Sequence, residues 1–333
     1  MVKIGINGFG RIGRNTFRAL QGHQYLQVAA INDLTDNATL AHLLQYDSLY
    51  GKFPGEVELQ GDNLKVDGKQ IQTLAEANPE DLPWGELGID IVIEATGKFR
   101  THQEAARHLK GGAKKVIVTT PVNDADIIIV LGLNEKDYDP QRHQIISNAS
   151  CTTNGLAPVV KVLHNNFGIR KGLMNTTHAY TNDQRLLDLP HPDLRRARAA
   201  QVSMIPTTTG AAKVIGKIVP ELEGKIHGFA VRVPTPTVSL VDFVAELEQK
   251  TTAEAINEAF KKAAAGELKG ILAYSEQPLV SVDYKGSPYS STVDSLLTMV
   301  IGDNLARVVA WYDNEWGYSH RVADLADFVA QSL

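Results

Sequence analysis

The chain of 333 residues contains a single cysteine, Cys151. One thiol excludes an intramolecular disulfide and any cysteine-rich metal site, and it favours a reducing compartment, so we expect a cytoplasmic protein. No apolar run approaches the ~20 residues that a membrane-spanning helix requires. The first residues, "MVKIGINGFG", predict a strand and not a basic segment followed by a long apolar run. We therefore expect neither a membrane partner nor a signal peptide.

The sequence also lacks a strong excess of either charge. Its 33 basic and 38 acidic residues give a formal net charge of −5, which argues against nucleic acid as the main partner. Repeats and low-complexity linkers are absent, and 43% of the residues are apolar. This composition is typical of a globular protein, and the length suggests two domains.

A glycine-rich turn lies near the start of the chain, in "VKIGINGFGRIGRNTFRAL". Gly8, Gly10 and Gly13 form a G-x-G-x-x-G pattern between a short apolar run and an amphipathic segment, and Asp33 follows Gly13 by 20 residues. This spacing is typical of a dinucleotide site, in which the pyrophosphate meets a helix N-terminus and the carboxylate binds ribose hydroxyls. Because Asp33 should repel a 2′-phosphate, the predicted cofactor is NAD. The alternative is an ordinary strand, turn and helix without a ligand.

Two further buried strands are predicted over 89–97 and 113–121, separated by a segment with helical spacing. Ligands gather at the carboxyl ends of strands in open α/β sheets, so Thr96, Gly97 and Thr120 are candidate cofactor contacts. The alternative for each is a turn-forming residue without a ligand.

Strands are also predicted over 126–134 and 144–150, and the second leads directly to Cys151. That cysteine lies in the polar stretch "SNASCTTNGLAP", which indicates a reactive thiol more than a core side chain. Ser150 is a suitable N-cap for a following helix, whose dipole favours the thiolate. Pro158 predicts a kink or a late helix start. Among ten histidines, His178 in "MNTTHAYTND" is the candidate base, with a hydrogen-bonded core histidine as the alternative.

Six segments carry a family resemblance: "INGFGRIGR", "SNASCTTN", "HAYTNDQR", "IPTTTGAAK", "RVPTPTVSLVD" and "WYDNEWGYSHRV". In order and over essentially the whole chain, they resemble the phosphorylating, glycolytic glyceraldehyde-3-phosphate dehydrogenases. The resemblance implies that Cys151 attacks glyceraldehyde 3-phosphate and that His178 is the base. Hydride transfer to NAD would leave a thioester, and inorganic phosphate would then release 1,3-bisphosphoglycerate.

The resemblance also assigns the binding residues. Thr181 and Arg232 would bind the substrate phosphate, and the attacking phosphate would be bound by Ser150, Thr152, Arg196, Thr209 and Gly210. The backbone of Arg11 and Ile12 would contact the pyrophosphate, Asn314 the nicotinamide carboxamide, and Asn78 the adenine end. A homotetramer is implied, in which the basic loop 193–201 folds against a neighbouring subunit.

Two positions depart from the family pattern. Gly155 stands where the family often has a second cysteine, so an oxidised site cannot form a disulfide there. Asn78 stands where the family often has a basic residue, which puts its cofactor contact in question.

We expect an α/β protein. Residues 1–150 should form a doubly wound parallel Rossmann sheet, and residues 151–314 an α+β catalytic domain with a mixed or antiparallel sheet. A last helix over 317–333 should pack back on the first domain. Three alternatives stay open: an erythrose-4-phosphate dehydrogenase, a semialdehyde dehydrogenase that makes an acyl phosphate, and a dinucleotide-binding redox sensor without enzyme activity.

Overall fold

The computed structural model describes all residues from Met1 to Leu333. The chain divides into two compact units. The first comprises Met1–Ile129, Lys136–Ala149 and Ser319–Leu333, and the second Val130–Glu135 and Ser150–Tyr318. The chain passes from the first unit to the second at Ile129–Val130 and again at Ala149–Ser150, immediately before Cys151.

The strands, in chain order, are β1 (Val2–Asn7), β2 (Leu26–Asn32), β3 (Tyr46–Asp47), β4 (Gly51–Lys52), β5 (Val57–Gln60), β6 (Asn63–Val66), β7 (Lys69–Leu74), β8 (Ile91–Glu94), β9 (Lys115–Val118), β10 (Ile127–Ile128), β11 (Ile145–Ser147), β12 (Ile169–Ala179), β13 (Ile205–Thr208), β14 (Ile226–Val233), β15 (Ser239–Leu247), β16 (Leu272–Ser275), β17 (Ser291–Asp294), β18 (Met299–Ile301) and β19 (Leu305–Tyr312). The α-helices are α1 (Arg11–Leu20), α2 (Asn37–Gln45), α3 (His102–Ala105), α4 (Arg107–Lys110), α5 (Cys151–Phe167), α6 (Ala211–Ile218), α7 (Ala253–Ala265) and α8 (Trp316–Ala330). None of these helices combines the length and the apolar character that a membrane span needs.

The first unit is built on a nine-stranded sheet in the order β10-β11-β9-β8-β1-β2-β7-β6-β5. From β10 to β7 every neighbouring pair is parallel, and β6 and β5 extend the sheet with antiparallel pairs. All four residues of β8 and of β9 are buried, as expected for parallel strands covered on both faces. Chain order reverses between β1 and β8, so their carboxyl ends flank the crevice in which such folds bind ligands. The predicted doubly wound sheet is confirmed.

The second unit has an eight-stranded sheet in the order β13-β14-β12-β15-β19-β17-β16, with β18 paired to β19. The pairs β12–β14 and β16–β17 are parallel and the others antiparallel, which confirms the predicted mixed sheet. Buried and half-buried residues alternate strictly along β15, the pattern of a strand with one face on a core. The register of β12 and β14 sets His178 directly opposite Arg232.

Several local expectations need correction. The helix predicted between 97 and 113 is two short helices, α3 and α4. The strand predicted over 126–134 is reduced to Ile127–Ile128. A late start of the helix after Cys151 is wrong, because α5 begins at Cys151 and continues through Pro158 although that residue has no N–H to donate.

Candidate active site

A cleft of about 260 Å³ opens at the carboxyl ends of β1, β2 and β8 in the first unit. Four of the cofactor residues predicted from the sequence line it: Gly8, Gly10, Asp33 and Thr96. The remaining lining residues are Asn7, Asn32, Leu34, Glu76, Ala77, Ala95, Lys98 and Phe99.

The glycine-rich turn at this cleft leaves no room for side chains at two of its three glycines. Gly8 has a φ of +90°, and a Cβ there would lie 2.6 Å from the backbone nitrogen of Thr96. A Cβ on Gly13 would lie 2.1 Å from the Gly8 carbonyl oxygen, whereas one on Gly10 would meet nothing within 4 Å. Gly10 precedes α1, whose first-turn N–H groups include those of Arg11 and Ile12. The open approach at Gly10 and the positive helix end fit a pyrophosphate.

Asp33 follows β2 at the edge of the same cleft. Its Oδ2 accepts a hydrogen bond from the Phe9 N–H (2.7 Å), and its Oδ1 accepts one from the Thr35 N–H (3.0 Å). The carboxylate is therefore oriented by the backbone, and each oxygen keeps acceptor capacity. Such a group fits the hydroxyls of a ribose.

The other predicted cofactor residues of this unit lie outside the cleft lining. Gly97 follows Thr96 with a φ of +69°, and Thr120 follows β9 with a buried hydroxyl that lacks a partner. Asn78 accepts a hydrogen bond from the Arg107 guanidinium through Oδ1. The Arg107 guanidinium of α4 thus lies next to Asn78, the position where the family often has a basic residue. The sequence analysis did not predict this contact.

Cys151 is the first residue of α5 in the second unit. Ser150 caps the helix, because its Oγ accepts from the Thr153 N–H at 3.1 Å. His178, near the end of β12, brings its Nε2 to 3.4 Å from the Cys151 Sγ. The two residues singled out from the sequence as nucleophile and base are therefore in contact.

The tautomer of His178 follows from its second nitrogen. Nδ1 lies 2.7 Å from the carbonyl oxygen of Ala179, which can only accept, so Nδ1 carries the proton. The lone pair of Nε2 then faces the thiol. Arg232 Nη1 lies 3.2 Å from Nδ1, but the protonated Nδ1 has no lone pair with which to accept a hydrogen bond from it.

Burial disfavours the charged form of both residues of this pair. Burial, together with the neighbouring Arg232, lowers the pKa of His178 to about 3. Burial raises the pKa of Cys151 and outweighs the opposite effect of Arg232. Burial thus opposes the negative charge that the helix N-terminus favours on the sulfur, and the lone pair of Nε2 faces the thiol.

The Arg232 guanidinium is hydrogen-bonded to Thr181 near the Cys151–His178 pair. Its Nη1 donates to the Thr181 Oγ1 (2.7 Å) and to the Ala179 carbonyl (3.1 Å). Its Nε is buried without a hydrogen-bond partner. A buried donor without a partner calls for a ligand, and an anion suits a guanidinium.

A carboxylate that the sequence analysis missed links Thr181 to Arg196. Asp183 accepts from the Thr181 hydroxyl on one oxygen and from Arg196 Nη1 on the other, the latter at 2.6 Å. Burial alone would raise the pKa of Asp183. The hydrogen bond from the Thr181 hydroxyl and the charges of Arg232 and Arg196 outweigh burial, so this pKa lies below its usual value. Asp183 lies in the segment "HAYTNDQR", but nothing in that pattern showed which of its polar residues pair.

The remaining predicted phosphate residues lie at two helix N-termini. Ser150 and Thr152 are at the start of α5, and Thr209 and Gly210 precede α6. The Thr209 Oγ1 accepts from the Ala211 N–H at 3.3 Å. Thr152 is buried, and its Oγ1 lies 3.0 Å from the hydroxyl of Tyr312, a second residue that the sequence analysis missed.

Asn314 lies in the second unit and is also oriented by a neighbour. Its Oδ1 accepts from the Ser239 hydroxyl at 2.8 Å, and the Ser239 oxygen accepts from the Ala179 N–H at 3.1 Å. With its oxygen engaged in this way, Asn314 is left with an amide NH₂ to donate.

Comparison with known proteins identifies the family of this chain. The family models for the NAD binding domain and the C-terminal domain of glyceraldehyde 3-phosphate dehydrogenase match residues 2–102 and 150–314. The chain belongs to the glyceraldehyde-3-phosphate dehydrogenase family.

Several curated members of the family align with nearly the full chain. The glyceraldehyde-3-phosphate dehydrogenase of Geobacillus stearothermophilus is 62% identical over 329 residues, which is 99% of this chain and 98% of that protein. Glyceraldehyde-3-phosphate dehydrogenase 1 of Bacillus subtilis and the enzyme of Priestia megaterium are each 59% identical, with the same coverage of 99% and 98%.

As a glyceraldehyde-3-phosphate dehydrogenase, the chain is an NAD-dependent oxidoreductase of glycolysis that uses glyceraldehyde 3-phosphate and inorganic phosphate. The main interpretation of the sequence is confirmed. The erythrose-4-phosphate and redox-sensor alternatives are not favoured.

Proposed function

We propose that this glyceraldehyde-3-phosphate dehydrogenase works through a thioester on Cys151, with His178 as the general base. The observation that carries the proposal is the 3.4 Å contact between the thiol sulfur and the unprotonated Nε2. A histidine fixed in this tautomer can take the thiol proton as the sulfur attacks the aldehyde carbon.

The proton then moves in balanced steps. His178 returns it to the aldehyde oxygen as the thiohemiacetal forms, and takes it back from that hydroxyl as the carbon is oxidised. NAD, when bound, supplies the acceptor for the hydride that leaves this carbon. Phosphate attacks the resulting thioester, the carbon–sulfur bond breaks, and the proton on His178 returns to Cys151. The products are the acyl phosphate and the free thiol.

We assign the substrate phosphate to Arg232 and Thr181. The attacking phosphate is assigned to Ser150, Thr152, Arg196, Thr209 and Gly210. The buried Nε of Arg232 and the N-termini of α5 and α6 support these assignments. An anion that binds Arg196 must compete with Asp183, which is 2.6 Å from its Nη1.

The cofactor is assigned to the cleft of the first unit. Gly8, Gly10 and Gly13, with the backbone of Arg11 and Ile12, hold the pyrophosphate, and Asp33 holds the adenosine ribose. Contacts from Thr96, Gly97, Thr120, Asn78 and Asn314 complete the set. In domain terms, residues 1–150 are the cofactor domain, to which the helix over 317–333 returns, and residues 151–314 are the catalytic domain.

We also propose a cytoplasmic homotetramer. The second unit exposes large apolar side chains, a pattern that calls for burial in an assembly. These side chains are Leu173, Leu186, Leu187, Leu194, Val202, Met204 and Phe229. Sedimentation equilibrium tests the proposal, with four chains expected and a monomer contradicting it.

A steady-state assay tests the reaction itself. NADH formation should require glyceraldehyde 3-phosphate and inorganic phosphate together, and erythrose 4-phosphate should be the poorer substrate. Equal kcat/KM for both aldehydes would contradict the substrate assignment, and turnover unaffected by phosphate would contradict the thioester phosphorolysis.

A further inference from the structure

A buried polar chain in the first unit has no part in the chemistry described above. Glu94 (1% exposed), His108 (0%) and Trp84 (0%) form it. Glu94 is the last residue of β8 and pairs in register with Asn7, the last residue of β1. This row of hydrogen-bonded side chains therefore ends at the switch point of the parallel sheet, next to the cleft of the first unit.

The carboxylate of Glu94 orients two residues that line the cleft. Its Oε1 accepts from the Thr96 N–H (2.8 Å) and from the Thr96 hydroxyl. Its Oε2 accepts from the Asn7 amide (2.5 Å) and lies 3.0 Å from His108 Nε2. Both oxygens are thus engaged twice, which fits an ionised carboxylate with its acceptor capacity filled.

Trp84 determines what His108 can do. The indole Nε1 donates to His108 Nδ1 at 3.1 Å, and an indole N–H can only donate. Nδ1 is therefore an acceptor, and the proton of the neutral ring is on Nε2, where it is donated to Glu94. The ring is held from both sides, and it holds the carboxylate in turn.

Thr96 passes this constraint on to the glycine-rich turn. The backbone of Thr96 lies so close to Gly8 that a Cβ on that glycine would be 2.6 Å from the Thr96 nitrogen. A shift of Thr96 would therefore displace, or leave unsupported, the turn that faces the pyrophosphate.

We propose that Glu94 is a positioning residue for NAD, held by His108, and that it sets the place of Thr96 and of the turn at Gly8. This proposal rests on the assignment of the cofactor to the cleft. Trp84, His108 and Glu94 would not touch NAD themselves. They would act on it through Thr96 and the other residues that line the cleft.

The substitution Glu94→Gln tests the proposal with almost no change in shape. Whichever way the glutamine amide is turned, its NH₂ faces an N–H donor, either Thr96 N or the pair Asn7 and His108. We expect NAD to bind about tenfold or more weakly by titration calorimetry, since each misplaced buried donor costs a hydrogen bond. At saturating NAD, kcat should stay within about twofold. An unchanged dissociation constant, or a large loss of kcat alone, would overturn the proposal.

A pair of variants at His108 keeps the test informative if Glu94→Gln does not fold. The amide nitrogen of His108→Gln can take the place of Nε2 and donate to Glu94, whereas His108→Leu cannot donate. We expect NAD affinity within about threefold of wild type for the first and at least about fivefold weaker for the second. Equal affinities for the two variants would show that the donor to Glu94 does not matter.

Two further variants separate the possible causes. Leu64→Ala, at a fully buried position of β6, removes apolar volume and measures what general destabilisation alone does to NAD binding. If it weakens NAD as much as Glu94→Gln does, the positioning role fails. Asp33→Ala tests whether NAD binds in the cleft at all, and unchanged NAD binding in this variant would contradict the cofactor assignment. A loss in Asp33→Ala without one in Glu94→Gln overturns only the positioning role.

Discussion

His178 and His108 are both buried, in different units, and they have opposite tautomers. His178 donates from Nδ1 to a carbonyl and turns the lone pair of Nε2 toward Cys151. His108 accepts at Nδ1 from Trp84 and turns the N–H of Nε2 toward Glu94. The partner of one ring nitrogen therefore decides whether the other nitrogen is a base or a donor.

The two histidines also differ in the charge of their neighbours. His178 lies beside the Arg232 guanidinium, which disfavours an imidazolium, and in contact with the Cys151 sulfur. His108 lies beside a carboxylate that already accepts three hydrogen bonds from other groups. One histidine thus presents a lone pair to its partner side chain, and the other presents an N–H.

Removing the nucleophile should give the largest effect. Cys151→Ser takes away the only thiol and leaves a hydroxyl that is a far weaker nucleophile at neutral pH, so kcat/KM should fall by about 10⁴-fold or more. NAD affinity, measured by calorimetry, should be retained. Near-normal turnover in this variant would rule out the thioester.

Replacing the base should cost less. His178→Asn removes the proton acceptor next to the sulfur and should lower kcat by roughly 10²–10⁴-fold. His102→Asn, at a histidine of α3 outside the site, is the control and should keep the wild-type rate. Equal rates for the two variants would show that His178 is not the base.

The carboxylate in the cleft should affect cofactor choice, unlike the buried carboxylate of Glu94. Asp33→Asn keeps the shape and removes the charge that opposes a 2′-phosphate. We expect kcat/KM for NADP relative to NAD to rise about 5–150-fold, the equivalent of roughly 1–3 kcal/mol. A wild-type enzyme that already uses NADP as well as NAD would contradict the role given to Asp33.

The low pKa of His178 should also appear in the stability of the protein. With a folded value of about 3 against 6.5 unfolded, its neutral form contributes stability that is complete above pH 6.5 and is lost as the pH falls toward 3. At pH 5 the loss due to this residue is about 2 kcal/mol. Urea unfolding at equal chain concentration should therefore show that His178→Asn loses less stability than wild type between pH 7 and pH 5. Parallel losses would mean that His178 is not held neutral by the fold.

The sequence revealed those parts of the site that depend on neighbours in the chain. The glycine turn, Asp33 and the cap at Ser150 are local patterns with a fixed spacing, and each lies where the pattern predicts. A mixed or antiparallel sheet was also predicted, because alternation along strands such as β15 is visible in the sequence, but its two parallel pairs were not.

Contacts between distant segments were not predictable. His178 faces Arg232 because of the β12–β14 register, and Asp183 joins Thr181 to Arg196 through a loop, neither of which spacing reveals. The same holds for Glu94 and His108, whose sequence neighbours give no sign of the indole that fixes the ring. Antiparallel β5 was missed because its mostly exposed residues lack the apolar pattern of a buried strand.

The most direct test of the account is the rate at which iodoacetamide alkylates Cys151, measured against pH in wild type and in His178→Asn. Because the chain has one cysteine, each label reports on this thiol, and activity should disappear in step with one label per chain. The account predicts that wild type reacts faster at neutral pH, because Nε2 accepts the thiol proton, and that His178→Asn needs a higher pH for the same rate. Superimposable pH profiles for the two proteins would show that His178 does not act on Cys151.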